Sequence, residues 1–287
     1  MNILIRADSS STLGLGHIKR DLVLAQHYPS DHILFACQDL PGHIIASIPY
    51  PVYILHSHDP EELITLITHQ LIDLVVFDHY GIDEAYEKAI KDRCNVTILS
   101  FDDTYQRHHC DILLNHNISA DPRRYKGLVP DHCELRCGKA YTLIREEFKT
   151  EKGLKPEKIY DLFIALGGTD PTNTTLTVLK TLDPNNRVCV VTTSGNPHLQ
   201  ALQNYIKDHP SIVLHLDSHE VARLMNMSRC AIVTPSVMVH EVLYLNIPFV
   251  AIQTAPNQQD MADYLQKEGF IVMKHWSHDA LAPLLNP

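Results

Sequence analysis

A single tryptophan and only seven phenylalanines serve a chain of 287 residues, and nowhere does it carry a long apolar run. Without a stretch of roughly 20 apolar residues there is no candidate for a membrane-spanning helix. The first residues already read as a strand, with no basic segment ahead of an apolar one, so no secretory signal is expected. The seven cysteines are odd in number and form no CxxC pair, which argues against a disulfide framework and fits reduced thiols in a cytoplasm. Cys110 behind His108 and His109, with Cys133 and Cys137 further on, is a weak zinc pattern, and no metal site is assigned. Positive charge is also short. Lys and Arg number 24 against 34 Asp and Glu, a formal net charge of −10, and a nucleic-acid surface would need a basic stripe. An anionic substrate would have to be met locally, by helix N-termini and backbone N–H groups.

What the chain does have is regular alternation of apolar runs with helix-length segments. Strands are expected at 2–7, 32–37, 51–56, 72–78, 95–101 and 111–115, then at 159–166, 187–193, 212–216, 230–234, 248–253 and 270–274. Runs such as "LIDLVVFD" and "RVCVVTT" are continuously apolar, the pattern of parallel strands covered on both faces. Helices are expected at 17–28, 60–70, 83–92, 173–182, 198–208, 219–227, 237–246 and 258–268. The expected fold is α/β, two doubly wound Rossmann-type domains facing across a cleft. The charged stretch "REEFKTEKGLKPE" at 145–157 places the break, giving domains 1–150 and 151–287.

Four stretches could carry chemistry. In "RADSSSTLGLGHIKRD" a strand hands over to a helix through Gly14, Gly16 and His17. This is not the dinucleotide fingerprint, because Lys19 holds its third glycine position. It reads either as a tight turn with a capping histidine, or as a backbone that a substrate approaches at Gly16, with His17 as a base kept neutral by the helix dipole and oriented by Asp8. "FDHYGID" ends an apolar strand and puts Asp78, His79 and Tyr80 at its rim, where Tyr80 is a core cap or a substrate contact. In "ALGGTDPTN", Gly167, Gly168 and Thr169 either form an ordinary turn or admit a phosphate ahead of the free N–H groups of a helix. In the stretch 233–265, Ser236 caps a helix, Glu241 on it could take a ribose diol, and Asn257, Gln258 and Gln259 follow. Asp102 and Asp103 are adjacent along a strand and point oppositely, so they are not read as a metal pair.

Together these stretches resemble the UDP-sugar hydrolases of bacterial pseudaminic acid biosynthesis, over nearly the whole chain. The resemblance implies release of UDP from UDP-2,4-diacetamido-2,4,6-trideoxy-β-L-altropyranose, ahead of flagellin glycosylation, with UDP-sugar and UDP as the only partners and no cofactor or metal. It implies His17 as the catalytic histidine, with Tyr80 and Asn257 in the active site. The second half also resembles, more distantly, the nucleotide half of the lipid II-forming N-acetylglucosaminyltransferase, a GT-B protein. By that likeness Glu241 binds the ribose, while the segment around Leu216 and His219 holds uracil through backbone groups. A GT-B glycosyltransferase and a non-catalytic UDP-sugar binder are the alternatives.

Overall fold

The structure is a computed structural model and describes residues 1–10 and 12–278. The chain divides into two compact units, Met1–Leu143 and Ile144–Pro287. The first contains β1 (Asn2–Ala7), α1 (Gly16–Ala25), β2 (His32–Gln38), β3 (Val52–Leu55), α2 (Pro60–His69), β4 (Leu74–Asp78), α3 (Glu84–Arg93), β5 (Thr97–Phe101), β6 (Ile112–Asn115) and β7 (Glu134–Cys137). Its sheet runs β3-β2-β1-β4-β5-β6-β7, and each neighbouring pair is parallel.

Alternation along β1 explains why the strands read as unbroken apolar runs. Leu4 packs into the core under α2 and α3, with Val75, Phe77, Leu63 and Ile90. Ile3 and Ile5 point the other way, into the core beneath α1, with Phe35, Val76, Ile18 and Leu24. Both faces are buried, so both side-chain sets must be apolar. Two helices start on side-chain caps: Asp59 accepts from Glu61 N at 3.0 Å, and Asp83 from Tyr86 N at 2.9 Å. The helix α1 starts differently, with Leu15 at its N-cap and no side-chain cap bond.

The second unit holds α4 (Glu146–Lys152), β8 (Tyr160–Ala165), α5 (Thr174–Leu179), β9 (Val188–Thr192), α6 (Leu199–Lys207), β10 (Ile212–Leu216), α7 (Val221–Asn226), β11 (Ser228–Val233), α8 (Val237–Tyr244), β12 (Phe249–Ile252), α9 (Gln259–Lys267) and β13 (Val272–Met273). Its parallel sheet runs β10-β9-β8-β11-β12-β13, the order of the first sheet without its last strand. Each order reverses beside its first strand, at β1/β4 and at β8/β11, the place where open α/β sheets bind ligands beyond the strands' carboxyl ends.

Two elements were not expected. The strand β7 is short, and all four of its residues are at least partly exposed, so it lacks an apolar signature. The charged stretch at 145–157 is no plain linker, since it contains α4. Phe148 is fully buried, α4 packs on α7 and α8, and the Asn226 amide donates to the Glu151 carbonyl at 2.9 Å. One phenylalanine among outward-facing charges is enough to dock it on the second unit, which therefore starts ahead of that stretch. Of the tail 275–287, residues 279–287 lie outside the described residues.

Candidate active site

The register of β1 against β4 builds the first site. Ala7 pairs with Asp78, so the turn after β1 and the end of β4 lie side by side. His17, in the first turn of α1, directs Nδ1 at Asp78. It lies 2.9 Å from the main-chain carbonyl and 2.9 Å from Oδ1 of the carboxylate. Both partners only accept, so Nδ1 carries the proton, and in the neutral ring Nε2 holds the lone pair. No described bond involves Nε2. Burial alone would lower the pKa of this ring, but the Asp78 carboxylate outweighs it and raises the ring above the ordinary 6.5. The lowering expected from the helix dipole is thus outweighed by a carboxylate in direct contact, which makes the neutral ring a stronger base.

Asp78 is itself buried at 1% exposure and gripped by a fork. Arg20 Nε donates to Oδ2 at 2.6 Å, and Nη2 donates to Oδ1. Burial would raise this carboxyl; the Arg20 guanidinium and His17 hold it well below the usual range. Arg20 Nη1 continues to Asp103 at 3.2 Å, and the Tyr80 hydroxyl donates to the same carboxylate at 3.1 Å. The Tyr80 ring then meets His17 edge-on, with centroids 4.9 Å apart at 81°. Tyr80 is therefore a rim residue, 63% exposed, and not a core cap. Its phenol is pushed up to about 12, first by burial and then by the Asp103 charge. Beside Arg20 on α1, Asp21 is fully buried and neither carboxyl oxygen finds a donor. Burial and the Asp78 charge push it well above the carboxylate range, which favours the neutral acid.

Asp8 does not orient His17. It is spent on a buried fork from Arg6 at 2.6 and 2.9 Å, on Gln38 N at 2.7 Å, and on His79 Nε2 at 3.2 Å. His79 in turn accepts from Gly81 N at 2.9 Å through Nδ1. That close approach needs glycine, because a Cβ at residue 81 would lie 2.8 Å from the imidazole ring. Both nitrogens of His79 are thus committed, and of the two histidines lining this cavity His17 keeps one open. Asp8, Leu13, His17, His79, Tyr80 and Gly81 line a cavity of about 40 Å³, where a water needs about 10–15 Å³. Gly16 opens α1 with space around its α-carbon.

In the second unit, Gly167 turns at φ +88°, and a Cβ at Gly168 would fit tightly, 3.0 Å from Thr193 Cγ2. Thr169 is exposed beside them. The start of α5 is not free, contrary to expectation. Asp170 accepts from Thr174 N and Thr175 N, both at 2.9 Å, and so supplies the anion that this helix end attracts. Ser236 sits at the N-cap of α8, but its hydroxyl bonds Thr234 Oγ1 at 2.9 Å and caps nothing. Glu241 is buried at 2% exposure, with Arg145 Nε on Oε1 at 2.6 Å. Asn257 is exposed on the turn before α9. Gln258 folds its Oε1 back to Thr254 N at 2.8 Å and Ala255 N at 3.2 Å, which fixes that turn. Leu216, ending β10, and His219 are exposed.

Sequence reasoning missed Arg20, Asp21 and Asp103 as partners of this cluster. Arg20 and Asp21 stand in the stretch that already drew attention, three and four residues after His17, where one helical face repeats. No three or more His, Cys, Asp or Glu among the described residues are grouped to hold a metal, and no described helix is long and apolar enough to cross a membrane.

No model of a known protein family matches the chain. Over 272 residues it is 48% identical to the UDP-2,4-diacetamido-2,4,6-trideoxy-β-L-altropyranose hydrolase of Campylobacter jejuni, covering 95% of this chain and 98% of that one. Among solved structures it is similar to MurG of Acinetobacter baumannii, with a TM-score of 0.60 and 12% identity over 99% of this chain and 89% of that one. It is also similar to UGT89C1 of Arabidopsis thaliana complexed with UDP-L-rhamnose, with a TM-score of 0.66 and 10% identity over 99% and 88%. Identities this low carry the fold alone, and that fold is GT-B-like. The match along almost the full length of both sequences is of another order, and by it the chain belongs to the family of UDP-2,4-diacetamido-2,4,6-trideoxy-β-L-altropyranose hydrolases.

Proposed function

We propose that the protein hydrolyses UDP-2,4-diacetamido-2,4,6-trideoxy-β-L-altropyranose to UDP and 2,4-diacetamido-2,4,6-trideoxy-L-altropyranose, by C1–O cleavage with inversion. The observation that carries this reading is His17. One ring nitrogen is committed to two acceptors, the other is open, and the ring lines a water-sized cavity. Neutral His17 takes a proton from water at Nε2 as the water oxygen attacks C1. The C1–O bond breaks and its electron pair leaves with UDP. A diphosphate is a weakly basic leaving group, so no general acid is required. Attack on the face opposite the leaving group inverts the anomeric centre.

The remaining residues take roles that their chemistry allows. Tyr80 and Asn257 contact the sugar, and the chain at Gly16 lets it come close. Backbone N–H groups at Gly168, Thr169 and the open start of α8 behind Ser236 meet the diphosphate. Glu241 accepts from the ribose hydroxyls, the chain at Leu216 and His219 holds uracil, and Gln258 keeps the Asn257 turn in shape. No metal takes part. The reaction belongs to pseudaminic acid biosynthesis, for the glycosylation of flagellin, in the cytoplasm.

Incubation of purified protein with the UDP-sugar in ¹⁸O-water, without acceptor, tests this. Label on the free sugar, an initially inverted anomer by NMR and a rate unaffected by EDTA are expected. Label in UDP, or UMP with a sugar phosphate, would mean attack at phosphorus. UDP release that depends on an added acceptor would mean a glycosyltransferase, and loss on chelation with rescue by magnesium would bring in a metal.

A further inference from the structure

His17 receives two different things from one residue. The main-chain carbonyl of Asp78 and its carboxylate both lie 2.9 Å from Nδ1. The carbonyl is part of the backbone at the end of β4, and no side-chain substitution removes it. The carboxylate is held at its other flank by the Arg20 fork, which neutralises part of its charge. The groups around the ring are Asp78 from β4, Arg20 and Asp21 from α1, Asp103 and Tyr80 at the rim, and Asp8 with His79 lining the same cavity.

Resting on the reading of His17 as the base, we propose that Asp78 is a positioning residue with two separable parts: its carbonyl fixes the proton on Nδ1, so that Nε2 is the basic nitrogen, and its carboxylate stabilises the positive charge His17 gains on taking the water's proton, to a degree that Arg20 sets. A backbone carbonyl cannot donate, so the ring presents Nε2 whatever stands at side chain 78. A carboxylate against imidazolium favours the protonated ring, and a guanidinium on that carboxylate opposes it. Tautomer and basicity therefore have different owners. Replacing the carboxylate should change the second and leave the first.

This separates the proposal from a merely structural role, because two neutralising substitutions act in opposite directions. In Asp78→Asn, His17 keeps the Nδ1–H tautomer, titrates at lower pH than in the wild type, and the acid limb of kcat moves down with it. Its kcat falls ~10–100-fold, since each pKa unit of basicity lost is worth up to about tenfold. In Arg20→Gln, Asp78 is relieved of its counter-charge, so His17 titrates higher and the acid limb moves up. UDP affinity by calorimetry is unchanged in both.

Ring ¹⁵N NMR across pH, on the full chain without substrate, reads tautomer and titration directly. That readout needs no turnover, so it decides the proposal even if the hydrolase reading fails; an absence of UDP release by the wild type would sink that reading alone. Asp78→Asn removes the charged partner of the Arg20 fork, leaving only Asp103, and can compromise folding. The double variant Arg20→Gln/Asp78→Asn, which removes both charges together, then tests the carbonyl half by keeping or losing the Nδ1–H tautomer, and Arg20→Gln tests the carboxylate half. An Nε2–H tautomer in the wild type overturns the proposal. So does an unmoved titration midpoint in Asp78→Asn, or a downward shift in Arg20→Gln.

Discussion

Around the ends of β1 and β4 the first unit gathers five ionisable side chains: His17, Arg20, Asp78 and Asp103 are linked by hydrogen bonds and ion pairs, and Asp21 is buried beside Arg20. At the end of β8, the matching place in a sheet of matching order, the second unit has two glycines, a threonine and the serine-led start of α8. Its nearest charge, Asp170, is turned onto α5 and fully used there. One topology thus offers two kinds of switch point. The charged one can move a proton, because carboxylates and a guanidinium set how tightly an imidazole holds it. The uncharged one offers backbone N–H groups and hydroxyls, which hold an anion without titrating near neutral pH.

The largest expected effect breaks the first site and spares the second. His17→Asn keeps a side chain that can satisfy the Asp78 carbonyl but removes the base. Loss of a general base costs ~10²–10⁴ in kcat. UDP affinity by calorimetry should stay at the wild-type value; a variant retaining most of its kcat would take His17 out of the reaction. Glu241→Gln should do the reverse. The carboxylate is buried with Arg145, and hydrogen bonds to charged groups are worth about 1.5–3 kcal/mol. A weakening of UDP binding by roughly 10–150-fold is expected, with kcat at saturating substrate retained. Unchanged UDP affinity would free Glu241 from the ribose and leave it as the partner of Arg145.

Much of this contrast is legible in the sequence. Most strands are buried on both faces and therefore read as apolar runs, and twelve of the thirteen strands among the described residues stand where such runs do; β7, with every residue partly exposed, does not. Glycine at 167–168 and histidine after Gly16 also stand out, because a turn and a helix start rarely need them. What stayed hidden was pairing. Asp8 and Asp78 both end strands and look equally able to orient His17. Only the depth of Arg6 in the core, which claims Asp8 with both arms, decides between them. Glu241 likewise reads as a carboxylate available to a ribose diol, since nothing local shows that Arg145, 96 residues earlier, lies against it.

A smaller effect separates the two glycine turns. At Gly167, φ +88° is costly for any residue with a Cβ although the space is open, so Gly167→Ala should lose about 1–2 kcal/mol by urea unfolding. Gly16→Ala starts a helix in an ordinary conformation with open space, and should be neutral or gain about 0.4–1 kcal/mol. Equal losses at both would mean that the turns differ less than their backbones imply. If the sugar comes close to the chain at Gly16, KM rises in that variant without any loss of stability.

The smallest expected effect is the most discriminating within the charged cluster. Asp21 and Asp78 are both buried carboxyls contacting the same surroundings, yet only Asp78 has the Arg20 fork. A buried carboxylate without donors is too costly to keep, so Asp21 carries a proton and is a neutral hydrogen-bonding group. Asn is nearly its shape and also neutral, with N–H where the acid has O–H. Asp21→Asn should therefore hold kcat and the His17 titration within about twofold of the wild type, where the same substitution at Asp78 moves both. Its folding should also lose the dependence on pH that a raised carboxyl confers. The unfolded chain releases that proton above the ordinary 3.8, while the folded chain keeps it, so the wild type loses stability as pH rises from there toward the raised value; the variant lacks this share of the loss and keeps only the part from raised histidines such as His17. Urea unfolding at pH 5 and pH 7 reads this difference. A variant whose stability falls between those pH values as steeply as the wild type's would show that Asp21 is ionised in the fold, a third carboxylate beside Asp78 and Asp103 around one guanidinium.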